Sequence, residues 1–87
     1  MASHASALKA HRQSIVRRER NRQLRSRLRS RLKAVRTAID AKDTEKVRTD
    51  LRATVSLIDK MVTGGIIHRN AAARYKSRLQ ARIKRVS

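Results

Sequence analysis

Apolar side chains recur along the chain with the spacing of an α-helix, and the pattern divides into three segments. In the first segment, roughly residues 6–40, they recur every three or four positions and so share one helix face. This stripe consists of Leu24, Leu28, Leu32, Val35 and Ile39. The same stretch also alternates with period two, but a strand would place serines beside the leucines and contains almost no β-branched residues. The pattern therefore favours a helix.

Two further stripes predict helices over residues 44–62 and 68–85. Asp43 suits the N-cap of the middle helix, and Glu45 suits its positive dipole end. The chain has no proline, and the glycine pair at residues 64–65 is expected to supply a left-handed C-cap. The middle stripe is Val47, Leu51, Val55, Ile58 and Val62 with Met61 beside it, and the last is Ala72, Leu79, Ile83 and Val86 with Tyr75.

Three stripes and two short connections predict an all-α fold, an antiparallel three-helix bundle in a single domain spanning residues 1–87. Before Leu24 the first stripe ends, and the helix face that it occupied carries Ser14, Arg17 and Asn21 instead. A helix that is polar all round either bridges through solvent or is unstable alone. We therefore expect an extended first helix whose N-terminal half projects beyond the bundle and becomes ordered when phosphates surround it.

Charge is distributed unevenly along the chain, which carries 24 Lys+Arg, 6 Asp+Glu and a formal net charge of +18. Residues 1–36 hold twelve basic residues and one acidic residue, residues 37–61 hold five of each, and residues 62–87 hold seven basic residues and no acidic one. Such an excess opposes a compact state by self-repulsion and attracts a polyanion. The outer two helices are therefore predicted to bind a polyanion, and the middle helix to face solvent.

The basic residues suggest how the polyanion is bound. Arginine outnumbers lysine, and its planar fork makes paired hydrogen bonds to phosphate. On the first helix the arginines flank the leucine stripe on both sides, so phosphates should approach from more than one direction. Serine and asparagine can add hydrogen bonds to phosphate or to 2′-hydroxyl groups. The candidates are Arg12, Ser14, Arg17, Arg18, Arg20, Asn21, Arg22, Arg25, Ser26, Arg27, Arg29, Arg31, Lys33, Arg69, Asn70, Arg74, Arg78, Arg82 and Arg85.

The chain offers few of the groups that catalysis requires. Its three histidines are scattered, it has no cysteine, and it contains no paired carboxylates, metal-ligand spacing or nucleotide-binding motif. We expect no enzymatic activity, cofactor, metal or small-molecule substrate. Tyr75 is the single aromatic residue, which argues against modules that stack bases. His68, at the start of the third helix, permits either a cap or a phosphate contact.

A histone-like DNA compactor and a membrane-active helix are the alternatives. Composition alone does not exclude the DNA compactor, although the sequence shows no β-arm, intercalating wedge or proline of the kind that minor-groove benders use. The apolar stripes are narrow and lack Trp and Phe, and no apolar stretch approaches the ~20 residues that span a membrane. The first residues also lack the order of a secretory signal. No membrane partner is therefore expected.

The third segment carries a likeness to a known family. The stretch Gly65–Leu79, GIIHRNAAARYKSRL, resembles the pattern G-x-[IL]-H-K-N-x-A-A-R-x-K-S-x-L of the bacterial small-ribosomal-subunit protein S-twenty family. Parts of the first helix and residues 57–60 also resemble that family. The resemblance implies a three-helix bundle with an extended first helix. It also implies direct binding to the 5′ domain and penultimate stem of 16S ribosomal RNA early in 30S assembly, beside other small-subunit components of the cytoplasmic ribosome.

The resemblance also assigns individual residues. Carried over by position, the RNA-facing residues would be Lys9, Asn21, Ser26, His68, Asn70, Arg74, Lys76 and Arg78. Two positions depart from the family pattern. Ala10 occupies a place that is usually basic, which weakens the case for a contact there. Arg69 replaces a usual lysine and keeps its charge.

Overall fold

The computed structural model describes residues 4–86 and consists of three helices joined by two short connections. Helix α1 spans His4–Asp40, α2 spans Thr44–Thr63 and α3 spans Arg69–Val86. The predicted all-α fold is confirmed, and every helix begins and ends within two residues of its predicted bounds. Each helix packs against the other two. The outer ends of the predicted domain, residues 1–3 and 87, lie outside the described residues.

The length of α1 gives the molecule its elongated shape. This helix has 37 residues, so it is roughly 55 Å long, and the whole molecule measures 63 × 20 × 13 Å. Residues 4–20 are all exposed, including the apolar Leu8, Ile15 and Val16. The predicted projection of the first helix is therefore confirmed. Within the described chain, no helix combines the length and the apolar character needed to cross a membrane.

The core confirms the stripe of α1 and corrects that of α2. Leu28, Leu32, Val35 and Ile39 are buried, and Leu24 packs against them partly exposed. On α2 the buried residues are Thr54, Leu57, Ile58 and Met61, whereas Val47, Leu51, Val55 and Val62 are half-buried.

Thr54 explains the shift of the α2 core face. The sequence pattern counted only apolar residues and so passed over this threonine, which is 0% exposed. Its hydroxyl donates a hydrogen bond of 2.7 Å to the backbone carbonyl of Asp50, one helical turn earlier. Because the hydroxyl is satisfied within the helix, the methyl group can face the core at little cost. The centre of the buried face therefore lies along Thr54, Ile58 and Met61.

Helix α3 is covered along part of its length. Ala72 and Leu79 are buried, and Tyr75 and Ile83 are half-buried, as the stripe predicts. Val86 continues this stripe beside Ile83 at a shallow apolar depression, but it is exposed, since it lies in the last turn of the helix. The connection before α3 adds two residues that the pattern did not assign to the core, since Ile66 is buried and Ile67 packs against the cluster.

Both connections begin with the same hydrogen-bonded turn. After α1, the Asp43 N–H donates to the Ala38 carbonyl and the Lys42 N–H to the Ile39 carbonyl. After α2, the amides of residues 66 and 65 make the equivalent bonds to residues 61 and 62. This pattern is a Schellman motif, which places one residue in the left-handed region. That residue is Gly65, with φ of 72°, after α2, and Lys42, with φ of 57°, after α1.

The caps of α2 agree with the sequence in three respects. The Asp43 carboxylate accepts a hydrogen bond from the Lys46 N–H, so the predicted N-cap of α2 is confirmed. Glu45 lies in the first turn, as predicted. Within the glycine pair, Gly64 is right-handed, with φ of −78°, and Gly65 supplies the expected left-handed conformation, so this prediction is confirmed.

Candidate nucleic-acid interface

The projecting half of α1 presents basic side chains in several directions. Arg12, Arg17 and Arg20 line a depression on one side of the helix together with Gln13 and Val16. The remaining basic residues between residues 4 and 33 are also exposed. Because no other helix covers residues 4–20, phosphates can approach that part of α1 from around its circumference.

One ion pair lies within this segment. The Arg22 guanidinium donates to the Glu19 carboxylate at 2.9 Å, and both side chains are substantially exposed. The hydrogen bond and the positive charge of Arg22 lower the pKa of Glu19, and Glu19 in turn raises the pKa of Arg22. Glu19 is the single acid of α1 before Asp40. Its pairing leaves the other basic residues of the segment without a carboxylate partner within the described chain.

Asn21 marks the place where the apolar stripe ends. It is half-buried, and its side-chain oxygen is buried without a hydrogen-bond partner within residues 4–86. No bond within the described chain therefore fixes this amide. Just beyond it, Arg22, Ser26 and Arg29 line a second depression with Gln23.

A basic groove runs between α1 and α3. Its volume is about 290 Å³, and its walls carry Arg78, Arg82 and Arg85 from α3 and Arg36 from α1, with Tyr75 and Leu79 among the residues beneath. Arg36 was not among the residues predicted to bind RNA, since it lies after the densest run of charge. The sequence offered one sign that Arg36 belongs to the interface, which is its place beside the last core residues of α1. A helix that packs on those residues brings its own arginines near Arg36.

Two predicted binding residues of α3 contact the neighbouring helices. The Lys76 ammonium lies 2.6 Å from the Asp59 carboxylate of α2. The Arg82 guanidinium makes two hydrogen bonds, of 2.8 and 3.3 Å, to the Asp40 carboxylate of α1. The two basic side chains are half-buried and their carboxylate partners are exposed. Each pair is worth about 0–1 kcal/mol because its charges remain in contact with water. Lys76 and Arg82 therefore connect α3 to the other helices, a role that the sequence did not indicate.

His68 takes the capping role, one of the two that the sequence left open. Its Nδ1 atom accepts a hydrogen bond of 3.1 Å from the Asn70 backbone N–H, which caps the start of α3. In the neutral ring, acceptance at Nδ1 places the proton on Nε2. The imidazole is exposed, so Nε2 can donate to an oxygen outside the chain. The capping half of the prediction is confirmed.

The remaining candidates lie on exposed helix surfaces. Arg69, Asn70, Arg74 and Arg78 are exposed on α3. The exposed candidates on α1 are Lys9, Arg12, Ser14, Arg17, Arg18, Arg20, Arg22, Arg25, Ser26, Arg27, Arg29, Arg31 and Lys33. Together they define a structural class, a small helical protein whose basic surface suits a phosphate polyanion.

Comparison with known proteins identifies the family within that class. The family model described as ribosomal protein S20 matches residues 2–84. The protein named small ribosomal subunit protein bS20 in Koribacter versatilis is 52% identical over 84 residues, which cover 97% of this chain and 94% of that protein. The proteins of the same name in Maridesulfovibrio salexigens and Nitrosomonas eutropha are 48% and 51% identical over 100% and 97% of this chain, and 100% and 97% of their own lengths.

The chain belongs to the ribosomal protein S20 family. The resemblance drawn from the third-helix signature is thereby confirmed. Because the family consists of structural ribosomal proteins, the prediction that the chain is not an enzyme is also confirmed.

Proposed function

We propose that the chain is a structural constituent of the small ribosomal subunit that binds 16S ribosomal RNA directly, as a single domain spanning residues 1–87. It would work in the cytoplasmic ribosome with other small-subunit components as neighbours. The observation that carries this proposal is the projecting half of α1, where exposed basic residues surround a helix that no other part of the described chain covers. Residues 4–20 extend roughly 25 Å as a helix, which suits insertion between RNA segments.

The mechanism is electrostatic. Each Lys or Arg that contacts a phosphate releases condensed counterions, and the entropy of that release drives binding. Neutralised phosphates repel one another less, so RNA helices on different sides of α1 can lie close together. In this way the chain supports assembly of the 30S subunit by bridging RNA helices. The bundle holds α3 beside α1, so that the α1–α3 groove can add contacts near the base of the projection.

Recognition should depend on phosphate, sugar and shape. The single aromatic residue, Tyr75, is half-buried beneath the α1–α3 groove, so it offers no exposed ring for base stacking. The Nε2 atom of His68 and the amides of Asn21 and Asn70 provide neutral hydrogen-bonding groups. These groups can contact 2′-hydroxyls, which distinguish RNA from DNA.

A competition experiment tests this function. Labelled 16S rRNA transcript is bound by the protein at fixed salt and challenged with unlabelled 16S rRNA or with duplex DNA of equal nucleotide concentration. We expect the RNA to compete at much lower concentration. Equal competition by duplex DNA would instead support a DNA compactor.

Arg74→Ala tests the assigned surface of α3. Arg74 is exposed and makes no ion pair among the described residues. Its loss should weaken binding to 16S rRNA and leave the thermal unfolding transition unchanged, as followed by circular dichroism. A variant that also loses helix content would show that this face belongs to the fold.

A further inference from the structure

Most acidic residues of the middle helix are engaged away from its outer surface. Asp59 pairs with Lys76 of α3, and Asp43 caps the N-terminus. Asp50 is half-buried, and one of its carboxylate oxygens is completely covered. Glu45 lies on the same side of the helix as Arg48 and Arg52, but it makes no ion pair with either among the described residues. It stands in the first turn, where the helix dipole favours a negative charge. The equal numbers of acids and bases in residues 37–61 therefore conceal an uneven distribution in space.

Two arginines of α2 face away from the core. Arg48 and Arg52 are four residues apart, so their side chains lie side by side on one helix face. Both are exposed, and neither makes an ion pair within the described chain. Thr49 and Ser56 lie on the same side of the helix and complete a shallow depression of about 280 Å³. We call these four residues the outer face of α2.

The outer face of α2 has the chemistry of a phosphate contact. Two adjacent guanidinium groups can each hold a phosphate through paired hydrogen bonds. They are about 6 Å apart along the helix axis, which is close to the spacing of neighbouring phosphates on one strand. The short side chains of Thr49 and Ser56 let a strand approach the helix closely, and their hydroxyls can donate to phosphate oxygens.

The position of the outer face separates it from the interface already described. The buried side of α2 faces the other two helices through Thr54, Ile58 and Met61. Arg52 lies roughly opposite these residues around the helix, at about 100° per residue. The α1–α3 groove is lined by α1 and α3 alone. A strand on the outer face would therefore lie across the bundle from a strand in that groove.

We propose that the outer face of α2 binds the phosphates of a second RNA segment, on the opposite side of the bundle from the α1–α3 groove. This inference rests on the proposed binding of ribosomal RNA. It makes the bundle itself a bridge between RNA segments, in addition to the projecting half of α1.

The test compares two double variants of the full chain. Arg48→Gln/Arg52→Gln removes both charges of the outer face. Lys46→Gln/Lys60→Gln removes the same net charge from exposed positions of α2 that do not line the depression. Each protein is bound to a 16S rRNA transcript across a salt series, and the bound RNA is footprinted with hydroxyl radicals. Circular dichroism checks that both variants retain the helices.

The proposal predicts a different result for each variant. Loss of Arg48 and Arg52 should reduce the salt slope by about two, since each phosphate contact contributes about one unit. It should also make one set of protected nucleotides reactive while the others stay protected. The lysine control should keep the whole footprint and most of the slope.

Two other outcomes would overturn the proposal. An arginine variant whose footprint and slope match those of the lysine control would show that the outer face does not contact RNA. If the arginine variant bound RNA normally but was incorporated poorly into assembled subunits, the partner of the outer face would be an acidic protein surface. Failure of the proposed function would be distinct, because the wild-type chain would then protect no nucleotides.

Discussion

Ile58→Ala tests the core that holds the basic helices together. Ile58 is 0% exposed and belongs to the apolar cluster shared by the three helices. Ile15 provides a matched control, since it lies in the projecting half of α1 and is 49% exposed. The same substitution at both positions removes the same atoms from two different environments. The difference in stability between the two variants therefore measures the contribution of burial.

The expected loss at Ile58 is large relative to the stability of so small a protein. Replacing a buried isoleucine with alanine costs about 2–5 kcal/mol, from lost burial plus the cavity left behind. A chain of 87 residues has a total stability of roughly 4–13 kcal/mol. We expect a total stability near the lower end of this range, because residues 4–20 of α1 bury little surface and the net charge of +18 opposes compaction.

Urea and thermal unfolding followed by circular dichroism at 222 nm measure this difference. A loss of about 3 kcal/mol reduces the folding equilibrium constant more than a hundredfold and lowers the melting temperature by more than about 10 °C. Ile15→Ala should change stability by less than about 0.5 kcal/mol. Equal effects of the two substitutions would refute the assignment of the core.

Three further predictions concern the helix ends, an ion pair and the projecting helix. Lys42→Gly should raise stability by up to about 1 kcal/mol and Gly65→Ala should lower it by about 1 kcal/mol, because both positions are left-handed. If the two substitutions shifted the urea midpoint in the same direction, this reasoning would be wrong. Arg82→Gln should cost less than about 1 kcal/mol in thermal unfolding, and a larger loss would show that its pair with Asp40 holds the bundle together. Helix content, from circular dichroism after subtraction of the RNA spectrum, should rise when 16S rRNA is added; an unchanged content would show that the projecting half of α1 is already helical alone.

Periodicity predicted the helices well because each stripe is made of strongly apolar residues at regular spacing. The same method misplaced the centre of the α2 face, since Thr54 is buried by virtue of a hydrogen bond that hydrophobicity does not register. The left-handed residue predicted for the glycine pair is found at Gly65, but the method missed Lys42, which adopts that conformation without being glycine. Backbone geometry of this kind depends on how the following helix packs.

The charge pattern predicted the candidate interface, but it did not predict which charged side chains pair with one another. Counting acids and bases along the chain made α2 neutral, whereas the structure pairs Asp59 with Lys76 and leaves Arg48 and Arg52 exposed. Arg36 was passed over because only the fold brings it beside the arginines of α3. Linear charge therefore predicted the class of ligand, and the three-dimensional arrangement was needed to divide the surface into separate contacts.

The salt dependence of binding to 16S rRNA tests the central claim most directly. The equilibrium constant of the wild-type protein for a 16S transcript is measured by filter binding between 50 and 200 mM monovalent salt. Six or more phosphate contacts predict a log–log slope of about −5 or steeper, which is roughly a thousandfold loss of affinity over this range. A slope near zero would contradict the claim that the basic helices bind ribosomal RNA through its phosphates.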